Sequence, residues 1–341
     1  MATGSPPADA LSAGEYARIA AAIEAEIGKV IVGQTDLVRV VLTAMLCEGH
    51  VLLEGVPGLG KTQLLKTLSD IVDLEFSRIQ FTPDLMPADV LGTQVLHEGD
   101  AGHREFQFRP GPVFGNLVLA DEVNRATPKT QSAMLEAMQE RAVTVAGETR
   151  PLPRPFLVMA TQNPLEMEGT YLLPEAQLDR FMLKALVPFP PAEDLVAIVE
   201  RTTGTTEVDL SVQADGATLT RMIALTRQVP VADHLVRHAV DLVAGTHPTH
   251  ETAPEPVRKY VRFGASPRGA QAIILAAKAT ALINGRPNVS MSDIRAMAVP
   301  ALRHRMVLGY EATADGMSAD AIVAALLTAI PEPDAGLRGS P

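Results

Sequence analysis

The sequence predicts an α/β fold, a mostly parallel sheet sandwiched by helices, followed by a small all-α domain. Three observations carry this. Short apolar runs alternate with segments of helical periodicity through the first half of the chain. A glycine-rich loop sits between one such run and the helix that follows it. After the prolines Pro188, Pro190 and Pro191, every periodic segment is helical, which places a domain boundary there.

Taken in order, residues 1–12 and 331–341 are rich in Gly, Pro, Ser and Asp, a composition that seldom packs, so both ends are expected to be disordered. Ile19, Ile23, Ile27 and Val30 recur at helical spacing over residues 16–30. The loop Val32-Gly33-Gln34 and a second helix over 37–48 follow. Residues 51–54 form a short apolar strand, and 63–71 read as the next helix. Further apolar runs at 76–81, 116–120, 155–160 and 183–187 have the length and continuity of buried parallel strands. Two alternating stretches read as hairpins, one over 94–108 around Gly99-Asp-Ala-Gly102 and one over 142–145 with Gly147 at its turn. Beyond the prolines, helices are expected at 193–201, 217–228, 233–245, 267–284 and 291–298. The domains are therefore an α/β unit over 13–189 and an all-helical unit over 190–330.

Composition narrows the function. The chain has 341 residues, 47% hydrophobic and 20% charged, enough for two folded cores. A net charge of -11 argues against a surface built to grip nucleic acid, which needs a basic face. Cys47 is the single cysteine, so neither an intrachain disulfide nor a thiolate metal cluster can form. The start lacks the basic and apolar pattern of a signal peptide, and no run approaches the roughly 18 apolar residues of a membrane span. A cytoplasmic protein without membrane insertion is expected.

Gly55, Val56, Pro57, Gly58, Leu59, Gly60, Lys61 and Thr62 fit G-x-x-x-x-G-K-[ST] at every fixed position. Glycines at those places let backbone N–H groups turn inward around phosphate oxygens, and the N-terminus of the next helix, where Gln63 sits, adds positive dipole. Lys61 is placed for the β- and γ-phosphates, and Thr62 offers a hydroxyl to Mg2+. The strand–loop–helix context supports the motif. Such a loop needs an acid at the end of a neighbouring strand, and the apolar run 117–120 leads directly into Asp121 and Glu122. Asp121 would hold Mg2+ through its coordinated waters, and Glu122 would orient and deprotonate an attacking water. A glutamate in that position implies hydrolysis. No N-K-x-D guanine motif is present, which favours ATP as the nucleotide.

Four further segments follow in register: Asp121-Glu-Val-Asn-Arg-Ala126, Thr161-Gln-Asn-Pro164, Leu173-Pro-Glu-Ala-Gln-Leu-Asp-Arg-Phe181 and Phe263-Gly-Ala-Ser-Pro-Arg-Gly-Ala-Gln271. Together they resemble the MoxR family of AAA+ ATPases, over residues 13–327. The resemblance implies a P-loop NTPase core with a helical lid, and ATP and Mg2+ as substrate and cofactor. It implies that Asn163 is sensor 1, its amide beside the γ-phosphate and the attacking water. Arg180 resembles the arginine finger, which in the family reaches the neighbouring subunit's γ-phosphate, although a salt bridge with Asp179 or Glu175 would also account for it. Arg268 falls in the first turn of a helix capped by Ser266 and started by Pro267, where a cation opposes the dipole and implies a nearby anion. That anion is nucleotide phosphate if Arg268 is sensor 2, as the resemblance implies. Val32, Gly33 and Gln34 match the family's adenine-side segment. Arg125 contacts either a neighbour or a local carboxylate.

A finger acting in trans requires head-to-tail subunits, and such interfaces close into rings, by family resemblance a hexamer. Both hairpins resemble the helix-2 and pre-sensor-1 insertions of this AAA+ branch, loops that face a pore or a partner. Family resemblance points to chaperone-like remodelling of protein clients, often proteins with a von Willebrand factor A domain, in metal or cofactor insertion. The alternatives are a nucleic-acid motor like the MCM helicases, or an ATP-gated switch with little turnover. His234 and His238 stand four apart on a helix, and His247 and His250 lie in a Pro-rich loop. Leu235, Val236, Ala239 and Val240 define the core face there, so the first histidine pair reads as a solvated face rather than a metal site.

Overall fold

The computed structural model describes residues 11–56, 58–98, 104–163, 170–204 and 208–332. Helix α1 (Ala13–Val30) starts earlier than its apolar periodicity because Ser12 closes a capping box: its Oγ accepts from the Glu15 amide while its own amide donates to the Glu15 carboxylate. Ser12, read from composition as part of a frayed end, is thus an ordered cap. Then come α2 (Thr35–Leu46), β1 (Val51–Glu54), α3 (Lys61–Ile71), β2 (Phe76–Gln80) and the short α4 (Pro87–Leu91). Strands β3 (Gly92–Glu98) and β4 (Arg104–Pro110) pair antiparallel as the first hairpin, whose expected turn at 99–102 lies outside the described residues. They are followed by β5 (Leu117–Asp121), α5 (Pro128–Glu140), the second hairpin β6 (Ala142–Val145) and β7 (Glu148–Pro151), β8 (Leu157–Gln162), α6 (Glu175–Leu178) and β9 (Leu183–Leu186).

Five strands form one sheet in the order β2-β5-β8-β1-β9, every pairing parallel. Side chains alternate across a strand, so the inner strands β1, β5 and β8 feed two cores. Leu53, Leu119, Met159 and Leu183 face one side, with α1, α2 and α3; Leu52, Val118, Val158 and Ile79 face the other, with α5. Parallel strands buried on both faces account for their unbroken apolar runs.

The second part holds α7 (Ala192–Thr203), α8 (Gly216–Gln228), α9 (Asp233–Ala244), α10 (Glu255–Tyr260), β10 (Val261–Phe263), α11 (Pro267–Ile283), α12 (Met291–Leu302), β11 (Val307–Leu308), α13 (Tyr310–Ala314) and α14 (Ala319–Ala329). Its apolar residues join the first core, and the Tyr16 hydroxyl meets Thr226 Oγ1 at 2.9 Å across the junction. Two departures stand out. The helical lid carries an antiparallel bridge between β10 and β11, too short to show a period in sequence. Helix α9 turns Leu235, His238, Ala239 and Leu242 inward and leaves Val236 and Val240 exposed, so His238 is buried rather than on a solvated face. The stripe follows i, i+3, i+4, i+7 from Leu235. No group of three or more His, Cys, Asp or Glu side chains suited to a metal occurs among the described residues. None of the described helices is long and apolar enough to cross a membrane.

Candidate active site

In an open parallel sheet, the loops at the carboxyl ends of the strands make the natural crevice. The glycine loop leaves β1 there. Gly58 and Gly60 have φ of +83° and +75°, and open space surrounds the place a Cβ would take at each. Positive φ at both glycines gives the sharply turned backbone a phosphate loop requires. Gly60 caps α3 without a side-chain bond, which leaves the first N–H groups of α3 available to an anion. Lys61 is buried and donates to the Gly55 carbonyl at 2.7 Å. Burial pushes its ammonium below the ordinary lysine range, with the charges of Asp121 and Glu122 acting the other way. Gln34 Nε2 donates to the Leu59 carbonyl at 3.2 Å, tying the 32–34 segment to the loop. Pro57 lies outside the described residues.

Asp121 ends β5, and Glu122 follows in the left-handed region with φ of +55°. For a glutamate that conformation costs about 1–3 kcal/mol and persists only where neighbours enforce it. Thr161, near the end of β8, does so. Its Oγ1 accepts from the Glu122 amide at 2.8 Å and donates to Asp121 Oδ1 at 2.7 Å, so one hydroxyl sets both acids. From β2, Arg78 Nη2 donates to Asp121 Oδ2 at 2.7 Å and to Gln80 Oε1 at 2.8 Å. Gln80 Nε2 donates to Glu122 Oε2 at 2.9 Å, and Arg125 Nη1 donates to the same oxygen at 3.0 Å. The two acids are thus joined by a continuous hydrogen-bonded chain. Arg78, Gln80 and Thr161 escaped the sequence reading. Polar residues at alternate positions of the otherwise half-apolar run 76–81 were the available signal for the first two.

Asn163 comes directly after β8 and is buried. With Lys61, Thr62, Asp121, Glu122 and Thr161 it lines a cleft of about 380 Å³. Convergent on this cleft are an ammonium, free helical N–H groups, two carboxylates and an amide. Such a set can hold a polyphosphate, bind a hard cation and activate water. A larger cleft, about 720 Å³, runs between α2, β9 and α12, with Gly33 and Gln34 at its edge; Val32 lines neither.

Arg180 and Arg268 are elsewhere. Arg180 precedes β9, and Val51 pairs with Leu183, so Arg180 sits beyond the amino end of the sheet. The glycine loop begins past the carboxyl end of β1, and four residues of strand separate the two, roughly 10 Å of rise. Arg180 and Arg268 line one cleft of about 380 Å³ that shares no residue with the cleft around Lys61. The anion that Arg268 faces is the Asp179 carboxylate, 3.7 Å from its Nη1. Ser266 both caps α11 and donates to Asp179 Oδ2 at 2.8 Å. Arg268, in the first turn of α11, thus stands at the other end of the sheet from its own chain's phosphate loop. Asp179 pairs with Arg305 at 2.9 Å, and among the described residues no carboxylate pairs with Arg180.

Comparison with known proteins gives the following. Residues 50–183 match the ATPase family associated with various cellular activities (AAA), and residues 255–326 match the AAA lid domain. The chain is 44% identical to chaperone MoxR1 of Mycobacterium tuberculosis over 308 residues, 90% of this chain and 81% of that one. It is 43% identical to the uncharacterized Bacillus subtilis protein YeaC over 313 residues, 90% and 92% of the respective chains. A crystal structure from Cytophaga hutchinsonii superposes with a TM-score of 0.88 at 39% identity, over 94% of this chain and 97% of that one.

Proposed function

The chain belongs to the MoxR family of AAA+ ATPases, and from that premise we propose that it hydrolyses ATP within a ring of identical subunits and uses the cycle to remodel or activate partner proteins. The observation that carries this reading is the division of groups between the ends of the sheet. Phosphate loop, acids and Asn163 stand at the carboxyl ends; Arg180 stands at the amino end with no carboxylate partner among the described residues. Each subunit offers one half of a site at each end. Head-to-tail contact completes it, and contacts of that type close into rings, here a hexamer by family resemblance.

Mg2+ fits the donors present. Thr62 offers a hydroxyl and Asp121 a carboxylate, the few hard oxygens Mg2+ takes from a protein when phosphates and waters fill the remaining positions. Bound there, the ion would neutralise charge on the transferring phosphate. Lys61 holds the β- and γ-phosphates. Asn163 orients the attacking water and Glu122 takes its proton, once Oε2 is released from Gln80 and Arg125. Arg180 of the next subunit balances charge developing in the transition state. Thr161 positions both acids.

Protein clients are supported by the relative's name, a chaperone, and by the first hairpin, where Val95, Leu96 and Phe106 are exposed. A von Willebrand factor A domain protein, as in metal or cofactor insertion, is the client class that the family resemblance favours.

The test compares phosphate release with ATP binding. Glu122→Gln is expected to lose about 10²-fold or more in turnover. Arg180→Ala should lose about 10³-fold, and both should still bind ATP. Mixing the two should restore activity, since the Glu122→Gln chain supplies Arg180 to an intact site. Normal hydrolysis by both variants would refute the assignment, and absent recovery at every mixing ratio would refute action in trans. Proteins retained by Glu122→Gln with ATP identify the client.

A further inference from the structure

The turn that carries Arg180 is held by the lid. Arg305 lies just past α12, is almost fully buried, and drives its guanidinium into the backbone of residues 179–182. Its Nε donates to Asp179 Oδ1 at 2.9 Å. Nη2 donates to the Phe181 carbonyl at 2.7 Å and the Asp179 carbonyl at 3.4 Å, and Nη1 donates to the Met182 carbonyl at 3.0 Å. Nη1 also donates to the Ala301 carbonyl, which ties the fork back to α12. His304 adds an Nε2 hydrogen bond to the Phe181 carbonyl at 3.0 Å.

Stability alone does not account for this arrangement. A buried charge pair contributes little compared with apolar packing of equal volume. What an arginine supplies is a planar fork with fixed donor directions, and here it reads three of four consecutive carbonyls around Arg180. The preceding α6 is only four residues long, so the turn has little structure of its own. Asp179 gathers the rest: Arg305 on one oxygen, and Ser266 and the more distant Arg268 on the other. All three partners belong to the lid sequence.

We propose that Arg305 is the positioning residue for Arg180, so that the lid, rather than the sheet domain, presents the finger to the neighbouring subunit. The proposal rests on the reading of Arg180 as a finger acting in trans. Arg305 does not line the cleft around Lys61; it acts by fixing the backbone from which Arg180 extends.

The experiment uses the full chain with Arg305→Met, which keeps length and removes the fork. Displacing a positioned group by about 1 Å can cost about 10²-fold, so kcat is expected to fall by about that factor with KM for ATP within about twofold. Mixing separates positioning from general damage. With Glu122→Gln, which donates an intact finger, Arg305→Met should regain activity; with Arg180→Ala it should not, because neither chain then donates. Recovery with Arg180→Ala, or failure with both partners, overturns the proposal. Should Arg305→Met not fold, Arg305→Lys keeps a charge beside Asp179 but cannot span the carbonyls, and intermediate donor activity is expected. Wild-type donor activity in Arg305→Lys would overturn the role of the fork. Arg180→Ala mixed with Glu122→Gln is the control. If that pair fails, the reading of Arg180 falls and this assignment with it; if that pair recovers while Arg305→Met donates normally, only this assignment falls.

Discussion

The two ends of the sheet are built on opposite plans. At the carboxyl ends, Asp121 and Glu122 are held by groups from the sheet domain, and two of their partners, Arg78 and Gln80, are exposed. These bonds can exchange when a ligand enters. At the amino ends, buried His50, His304 and Arg305 hydrogen-bond to backbone groups of neighbouring segments. His50 accepts from the Val158 amide and donates to the Met138 carbonyl, joining β8 to α5. Arg180 itself has no carboxylate partner among the described residues. On the proposed function, the end that admits substrate keeps replaceable partners, and the end that would present Arg180 to a neighbour keeps fixed ones.

Glycines at the two ends of β1 test the division most strongly, because each presses against a residue flanking β9. A Cβ on Gly55 would meet Val187 Cβ at 2.8 Å, and one on Gly49 would meet Met182 Cβ at 2.7 Å. Alanine at either place is expected to cost up to about 3 kcal/mol by overpacking. Gly55→Ala should weaken ATP binding. Gly49→Ala should leave ATP binding and lower turnover, as titration beside phosphate release will measure. Equal loss of ATP affinity in both would break the comparison.

Acid should act on the amino end first. Burial pushes His50 down to about 4 from an ordinary 6.5, and His304 is also held well below that value. Between those values the unfolded chain binds the extra proton, so stability is present above pH 6.5 and falls as pH drops toward 4. From pH 6.5 to pH 5, His50 alone should remove about 2 kcal/mol, read from urea midpoints. Replacing His50 by Gln should flatten that slope; an unchanged slope would contradict the assignment.

The smallest effect concerns Arg78. Its partly exposed ion pair with Asp121 should contribute less than about 1 kcal/mol to stability. Arg78→Ala frees Asp121, so the Mg2+ concentration for half-maximal hydrolysis should fall by a few-fold, at most about fivefold. A higher requirement would mean that Arg78 helps to hold the substrate.

Most of the carboxyl end was legible in sequence because its groups are chain neighbours in fixed spacing. Gly55 to Thr62 follows a strand directly, and Asp121 and Glu122 end another. Thr161, Arg78 and Gln80 were not, since strand order decides which ends adjoin and nothing local encodes β2 beside β5. The amino end was less legible. Ser266 and Pro267 announced the start of α11, but its anion came from Asp179, 87 residues away in the chain. Arg305 reads locally as one more basic residue after a helix. Its role depends wholly on which backbone it meets.

Because all five strands run the same way, the subunit has a direction. Stacked end on end through a twofold axis, two copies would set finger against finger, or loop against loop, and finish no site. An open stack would always have one finished site fewer than it has members, with an idle loop at one terminus and an idle arginine at the other. If sites are completed in trans as proposed, only closure equalises the count, and a broken circle would lose output in proportion to its gaps.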